Sequence, residues 1–280
     1  MPPAAELDDA LVLRLQPVRE ADLIVTFLDP VRGRVDAYAR SARKSSRRFG
    51  GRLELFTRGC ASLNVGKAGL PQLTRFERSS HLAPSSIDWP LLCLLSSVAE
   101  LAAVASQPEH ADPELHAWAC ASLAACAELP ATRARLASLT FDLGFLQAVG
   151  CLPSQERCGA CGEWLSDGAV WLVASEGWAC AVCCAADPAF QEAMAWHPSA
   201  HGPDEDGSPG HSAATRYARA TVSAATLTTI QRLLADPDAV HTVFLSRRVG
   251  QLLRTHADSL LADVLPRPLR TRASLDEAID

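Results

Sequence analysis

The chain has 280 residues, is 48% hydrophobic and carries a formal net charge of -6, which is enough apolar material for a real core and for two or three domains. The charge is split: residues 1–80 hold 14 Lys/Arg against 9 Asp/Glu, a net of +5, so the other 200 residues sum to -11. A basic segment joined to an acidic remainder excludes a uniformly sticky polycation and points to one polyanion-facing surface. No run of eighteen apolar residues occurs, because Ser96, Ser97 and Glu100 interrupt the best candidate. Residues 1–9 lack the apolar region of a secretory signal, so a cytoplasmic, nucleoid-associated protein is expected.

Residues 10–80 alternate in the period of short strands, at 10–15, 22–28, 33–38, 51–56, 60–65 and 72–77. Asp29-Pro-Val-Arg-Gly33 is a turn signal, and Gly66, Gly69 and Pro71 mark another. Six strands at about ten-residue spacing suit a small closed barrel. Between the third and fourth lies the densest charge in the chain: residues 39–52 hold six Lys/Arg and no acid. Such a run is stabilised by a polyanion; its other reading is a solvated loop. Ser41, Ser45 and Ser46 among the cations can donate to phosphate oxygens, and Phe49 offers a face on which a base could stack.

From residue 85 the period becomes helical. Apolar residues at 91, 94, 95, 98, 101, 102 and 105 form one stripe. Asp112-Pro113-Glu114 opens a second helix as N-cap and first position, running to about 129. A third continues to about 149. Helical stripes return at 223–234 and 238–265, before a basic tail at 266–272 and the acidic end. The tail reads equally as a set of added DNA contacts or a solvated end. Residues 198–214 are rich in Pro, Gly and acid and read as a mobile linker, with His197, His201 and His211 as plain surface.

Ten cysteines invite a disulfide reading, but Cys60, Cys93, Cys120 and Cys126 sit singly in apolar surroundings and read as small buried hydrophobes of a reduced compartment. Cys158-x-x-Cys161, eighteen residues, and Cys180-x-x-Cys183 form two knuckles with the spacing of a zinc ribbon. The spacer reads as a hairpin. Four thiolates close a tetrahedral shell with no open position, so one structural Zn²⁺ per chain is expected; Cys184 competes with Cys183 as fourth ligand. No P-loop, His-Glu-x-x-His, Gly-x-Ser-x-Gly or dinucleotide fingerprint occurs. A binding protein is therefore expected, not an enzyme.

Residues 16–22 followed by Ile24-Val-Thr-Phe-Leu28, then Ala42-Arg-Lys-Ser-Ser-Arg-Arg-Phe-Gly-Gly-Arg-Leu-Glu-Leu-Phe56, resemble the N-terminal domain of the bacterial recombination-mediator family RecO. Its members carry an Ala-Arg-Lys…Arg-x-Gly-(Gly)-x-Leu-x-Phe element at this position, and many insert a four-Cys zinc finger into a helical domain. The resemblance implies an α+β chain: an OB-fold β-barrel at 1–82, an all-α domain at 83–155 and 187–280, and the inserted zinc finger at 156–186. It implies binding of single- and double-stranded DNA and annealing of complementary single strands. With RecR, such a protein would assist loading of RecA onto DNA coated by single-stranded-DNA-binding protein, whose acidic C-terminal tail would be a further partner. The expected DNA contacts are Arg40, Arg43, Lys44, Arg47, Arg48 and Arg52, with Arg32 and Arg34 nearby and Phe49 as a stacker. Arg133 and Arg135 are candidates for the acidic tail. A zinc-ribbon transcription factor or interaction scaffold is the alternative.

Overall fold

The computed structural model describes residues 4–44, 49, 53–66, 69–126, 129–172, 177–186 and 221–279. Contact divides the chain into two compact units, Met1–Gly150 with Leu260–Asp280, and Cys151–Ser259.

The first unit begins with five strands: β1 (Ala4–Pro17), β2 (Leu23–Asp29), β3 (Gly33–Ala39), β4 (Thr57–Asn64) and β5 (Gln72–His81). They close in the order β1-β2-β3-β5-β4, with β4 returning to β1. Closure depends on the length of β1. Its first half pairs with β4 from Ala4↔Asn64 to Leu11↔Arg58, and its second half with β2 from Leu11↔Leu28 to Pro17↔Leu23. Register shifts at Leu7/Ala10 and Val12/Arg14 bend the strand between its two partners. A parallel pairing of β3 with β5 at Tyr38↔Gln72 seals the last gap. This is the five-stranded OB barrel.

Alternation sends Leu7, Val12, Val25, Phe27, Leu73 and Phe76 inward, and the Phe27 and Phe76 rings meet at 5.8 Å. Ala37, Ala39 and Ala61 on neighbouring strands leave room for them. The sixth expected strand is absent: among its described residues, 53–56 form no ladder, and Phe56 takes a left-handed φ of 63°. Alternation there reflects a turn that buries Phe56, not a strand. Cys60 is exposed on β4 with its thiol on Asp8 O at 3.1 Å, contrary to the buried role expected of it.

Gly33 is required where it stands. Its φ is +66°, and a Cβ there would meet His110 O at 2.1 Å. The Asp29 carboxylate accepts from Val31 N at 3.0 Å and Arg32 N at 2.9 Å to complete this turn.

Helices α1 (Trp89–Ala105), α2 (Pro113–Ala125) and α3 (Ala134–Ala148) follow. Asp88 and Asp112 cap the first two, accepting from Leu91 N at 3.0 Å and Leu115 N at 2.9 Å, with Pro in each first turn. Helix α1 packs on β1, α2 and α3. In the second unit, β6 (Ala169–Leu172), β7 (Gly177–Ala179) and β8 (Thr221–Val222) make a small sheet in the order β7-β6-β8. Short α4 (Ala181–Ala186) and α5 (Ala224–Ala235) belong here, as does most of α6 (Arg247–Val264). The single helix expected over 238–265 is broken: Pro237–His241 is a 3₁₀ turn and α6 starts only at Arg247.

The basic tail is not a loose end. Residues Thr271–Ile279 form α7, which packs on α1. Arg267 binds Glu100 at 2.9 Å, and Arg272 reaches the buried Asp142 at 2.6 Å and Ser138 at 3.1 Å. The expected linker at 198–214 and its three histidines lie outside the described residues. Among the described residues, no helix is long and apolar enough to cross a membrane.

Candidate nucleic-acid interface and metal centre

Strand register lays out the outer face of the barrel. Because Val25, Phe27, Ala37 and Ala39 point inward, their neighbours point outward. Arg14, Thr26 and Asp36 form one row across β1, β2 and β3; Gln16, Ile24 and Tyr38 form the next. Arg40 stands beyond them, exposed at the end of β3.

The Asp22 carboxylate organises this end. It accepts from the Tyr38 hydroxyl and, at 2.7 Å, from Ser41 N, where the chain leaves β3 at a left-handed φ of 54°. Those hydrogen bonds, chiefly from Tyr38, hold Asp22 below its usual range, and the nearby Arg19 and Arg40 charges add to the effect. Tyr38 is pushed up in return. Beside it, Tyr38, Arg40, Leu70 and Gln72 line a recess of about 440 Å³ at the β3–β5 seam. Arg43 N donates to Ala21 O at 3.1 Å, and its guanidinium to Glu20 O at 3.4 Å. Lys44 pairs with Glu20 at 2.9 Å, both side chains largely in water, so that pair holds the lysine only weakly.

The expected contact set is therefore divided. Arg40, Arg43 and Lys44 stand together at one end of β3, while Arg47, Arg48 and Arg52 lie outside the described residues. Phe49 is corrected: at 2% exposure it sits in the barrel core, so neither ring face is open to a base. Arg32 and Arg34 stand apart from that group. They lie at the opposite end of β3, Arg34 about 20 Å from Arg40 along an extended strand and Arg32, just before the strand, about 26 Å. There Arg34 donates to Ala103 O at 3.2 Å and Ser106 O at 3.4 Å, fastening the barrel to α1. Arg19 is the cation that sequence reasoning passed over. It stands in the β1–β2 connection, three residues before Asp22, and its charge helps lower that carboxyl. Arg135, expected near an acidic tail, donates to Ile279 O at 3.0 Å and ties α3 to α7.

The second site is built from two tight turns. Cys158 N donates to Glu163 O and Gly162 N to Cys158 O, both at 2.8 Å, with Gly162 at φ +77°. Gly159 N donates to Trp178 O at 2.8 Å, which holds this knuckle against β7. The second knuckle leaves β7 directly into α4. The four ligand sulfurs of Cys158, Cys161, Cys180 and Cys183 all lie within 4.8 Å of one another. Around a tetrahedral ion with metal–sulfur bonds near 2.3 Å the separations would be ~3.8 Å, so the cluster needs only a small contraction. Burial works to raise the Cys158 thiol, but the N–H groups of Cys180, Cys161 and Ala160 outweigh it and hold the thiol at about 6. Hydrogen bonds with the Cys161 and Cys180 thiols push Cys183 well up. Sulfurs this close cannot all ionise unless a cation joins them. Cys184 is turned away: it is buried, with its thiol on Ala179 O at 3.9 Å. The set can hold a metal ion with Cys183 as its fourth donor. Arg157 stacks over Trp164 at 4.0 Å and binds Gly162 O at 3.1 Å, bracing the first knuckle from outside.

A Cys–His–Asp juxtaposition elsewhere is no nucleophile. Cys120 lies 3.8 Å from His116, and His116 lies 4.0 Å from Asp9. Burial pushes Cys120 up to about 11 and His116 down, while Arg58 binds both oxygens of Asp9. The cluster seams the barrel to α2.

Residues 4–80 match the family model described as Recombination protein O N terminal, and residues 88–202 the one described as Recombination protein O C terminal. The chain is 32% identical over 270 residues to a DNA repair protein RecO of Anaeromyxobacter sp. (strain Fw109-5), covering 95% of this chain and 94% of that one. It is 33% identical over 176 residues to the protein of that name from Koribacter versatilis (strain Ellin345), covering 62% and 70% respectively. With that of Desulfatibacillum aliphaticivorans it shares 34% over 169 residues, covering 60% and 64%.

Proposed function

Because this chain belongs to the recombination protein O (RecO) family of DNA repair proteins, we propose that its barrel binds single- and double-stranded DNA and brings complementary single strands together. The observation that carries this reading is the cationic end of β3, where Arg40, Arg43 and Lys44 stand beside the Tyr38 recess. Contacts there go to phosphates, so they lower the repulsion between two strands without selecting sequence. No covalent step is needed. Arg47, Arg48 and Arg52 follow closely in the sequence and add to the charge. In the cell this activity would serve loading of RecA onto DNA covered by single-stranded-DNA-binding protein, together with RecR.

Cys158, Cys161, Cys180 and Cys183 would hold Zn²⁺, whose all-thiolate shell suits a structural ion. The ion supplies a cross-link between the two knuckles; the chain's own groups orient the sulfurs.

The test is strand annealing, measured with two complementary oligonucleotides in the presence and absence of the coating protein. Wild type accelerates pairing in both cases, and reversing Arg43, Lys44, Arg47 and Arg48 to Glu abolishes the acceleration. Unchanged annealing by that variant removes the loop from the mechanism. Sequence-selective duplex binding with little response to salt would favour a transcription factor instead.

A further inference from the structure

A larger cleft, of about 680 Å³, opens within the first unit where the barrel meets α1 and the connection between α6 and α7. Its apolar lining includes Leu55, Val104 and Pro266, and its charged lining Arg14, Arg267 and Arg270. The charges in it are not equivalent. Glu100 is fully occupied, by Arg267 at 2.9 Å, Thr271 N at 2.8 Å and Thr271 Oγ1 at 2.9 Å. Asp36 accepts from Thr26 at 2.6 Å and faces Arg34 at 3.6 Å, while Arg34 is itself anchored to α1. Arg14 and Arg270 are exposed, and their side chains make no ion pair among the described residues. Both carboxylates of the cleft are thus satisfied, and two guanidinium groups are left facing solvent beside aliphatic carbon.

Register connects this cleft to the cationic end of β3. Arg14 belongs to the row Arg14–Thr26–Asp36; the row Gln16–Ile24–Tyr38 lies between it and Arg40. From Arg40 to Asp36 is four residues along β3, about 13 Å. A strand lying on Arg40, Arg43 and Lys44 therefore has a short path across this face to Arg14. An acidic peptide with apolar side chains would suit the cleft alone, but it would owe nothing to the rows leading into it. The rows that join this cleft to Arg40 favour a chain long enough to cross them.

We infer that single-stranded DNA continues from the loop after β3 across the outer face of β1–β2–β3, and that Arg14 and Arg270 bind a phosphate there while the attached nucleoside rests on the Leu55–Val104–Pro266 lining. This rests on the DNA-binding reading above and adds a second station to it.

The experiment is binding of fluorescent poly-dT at several salt concentrations by wild type, R14A/R270A, R14K/R270K and R40A/R43A/K44A. Losing that one phosphate contact makes the log–log salt dependence of R14A/R270A shallower by about 0.7. The shortest oligonucleotide bound with full affinity becomes shorter for the same variant, and the double lysine variant restores the salt slope. If wild type and the double alanine variant share one slope and one minimum length while the loop variant is impaired, the second station is wrong and the DNA reading stands. If wild type itself fails to bind, both fall. Loss of binding to an alternating Asp–Phe peptide in R14A/R270A, with poly-dT unaffected, assigns the cleft to a peptide and overturns the inference.

Discussion

The barrel and the cysteine centre are held by opposite means. The barrel closes over Phe27, Phe76, Leu7 and Leu73, all essentially inaccessible, and every residue offered to DNA points the other way. Its stability and its chemistry lie on opposite faces of the same strands, so surface charges can be changed without disturbing the core. The knuckles have no such separation. Two strands of four and three residues and one six-residue helix bury too little on their own, and an ion shared by the four sulfurs would be what holds the site together. In one region the site is carried by the fold; in the other it is the fold.

Removing the ion breaks the comparison most severely. Coordination by structural zinc is worth about 10–16 kcal/mol in small metal-dependent domains. Cys158→Ser or Cys180→Ser is expected to lower zinc from one equivalent per chain towards none by elemental analysis, and to erase hydrogen-exchange protection in β6 and β7. Oligonucleotide binding by the barrel should survive. Zinc-free protein with both strands still protected would contradict a metal-held finger.

Phe27→Ala removes a fully buried ring and is expected to cost about 4 kcal/mol by denaturant unfolding, lowering the stability of the barrel while leaving zinc content unchanged. Asp142→Ala leaves Arg272 facing Ser138 without its carboxylate. That loss should cost about 3 kcal/mol and release α7, seen as faster exchange across residues 271–279. A double replacement with apolar residues at both positions should recover much of it.

The smallest of these effects depends on pH. Burial lowers His256 to about 4, so the folded chain keeps it neutral while the unfolded chain protonates it near 6.5. The unfolded state binds the extra proton, so this contribution to stability is intact above pH 6.5 and is lost as pH falls from 6.5 towards 4. At pH 5 the loss is about 2 kcal/mol, and His256→Gln should flatten unfolding midpoints across that window.

Much of this architecture was legible in the sequence because the physics is local. Asp112-Pro113 announced its helix because a short carboxylate and a fixed φ act over one turn. Alternation located strands such as β4, where burial itself alternates, while β1 and β2 showed as apolar runs, β2 being dry on nearly every residue. The two Cys-x-x-Cys pairs announced their cluster because the spacing itself makes the turn; its depth, and the rotation of Cys184 away from it, required the strand β7 that feeds the second knuckle. What was misread depended on distance or on neighbours. Phe49 looked like a stacker because six cations surround it in sequence, yet one ring in a charged loop still found the barrel interior. Arg34 looked adjacent to the basic run because it is six residues from Arg40, but an extended strand turns six residues into about 20 Å. Arg267 and Arg272 read as a tail because their partners, Glu100 and Asp142, are more than a hundred residues away. Arg14 left no signal, being a single cation in a strand; Arg270 read as one member of the basic tail at 266–272, and only the fold makes the two neighbours of one cleft.

The most direct measurement is the affinity of purified protein for poly-dT across a salt titration. If the outer face of the barrel neutralises five to seven phosphates, log affinity falls with log salt at a slope of about -3 to -5, and the slope shrinks when the basic loop is reversed in charge. Affinity indifferent to salt, or no binding at low ionic strength, would contradict the account.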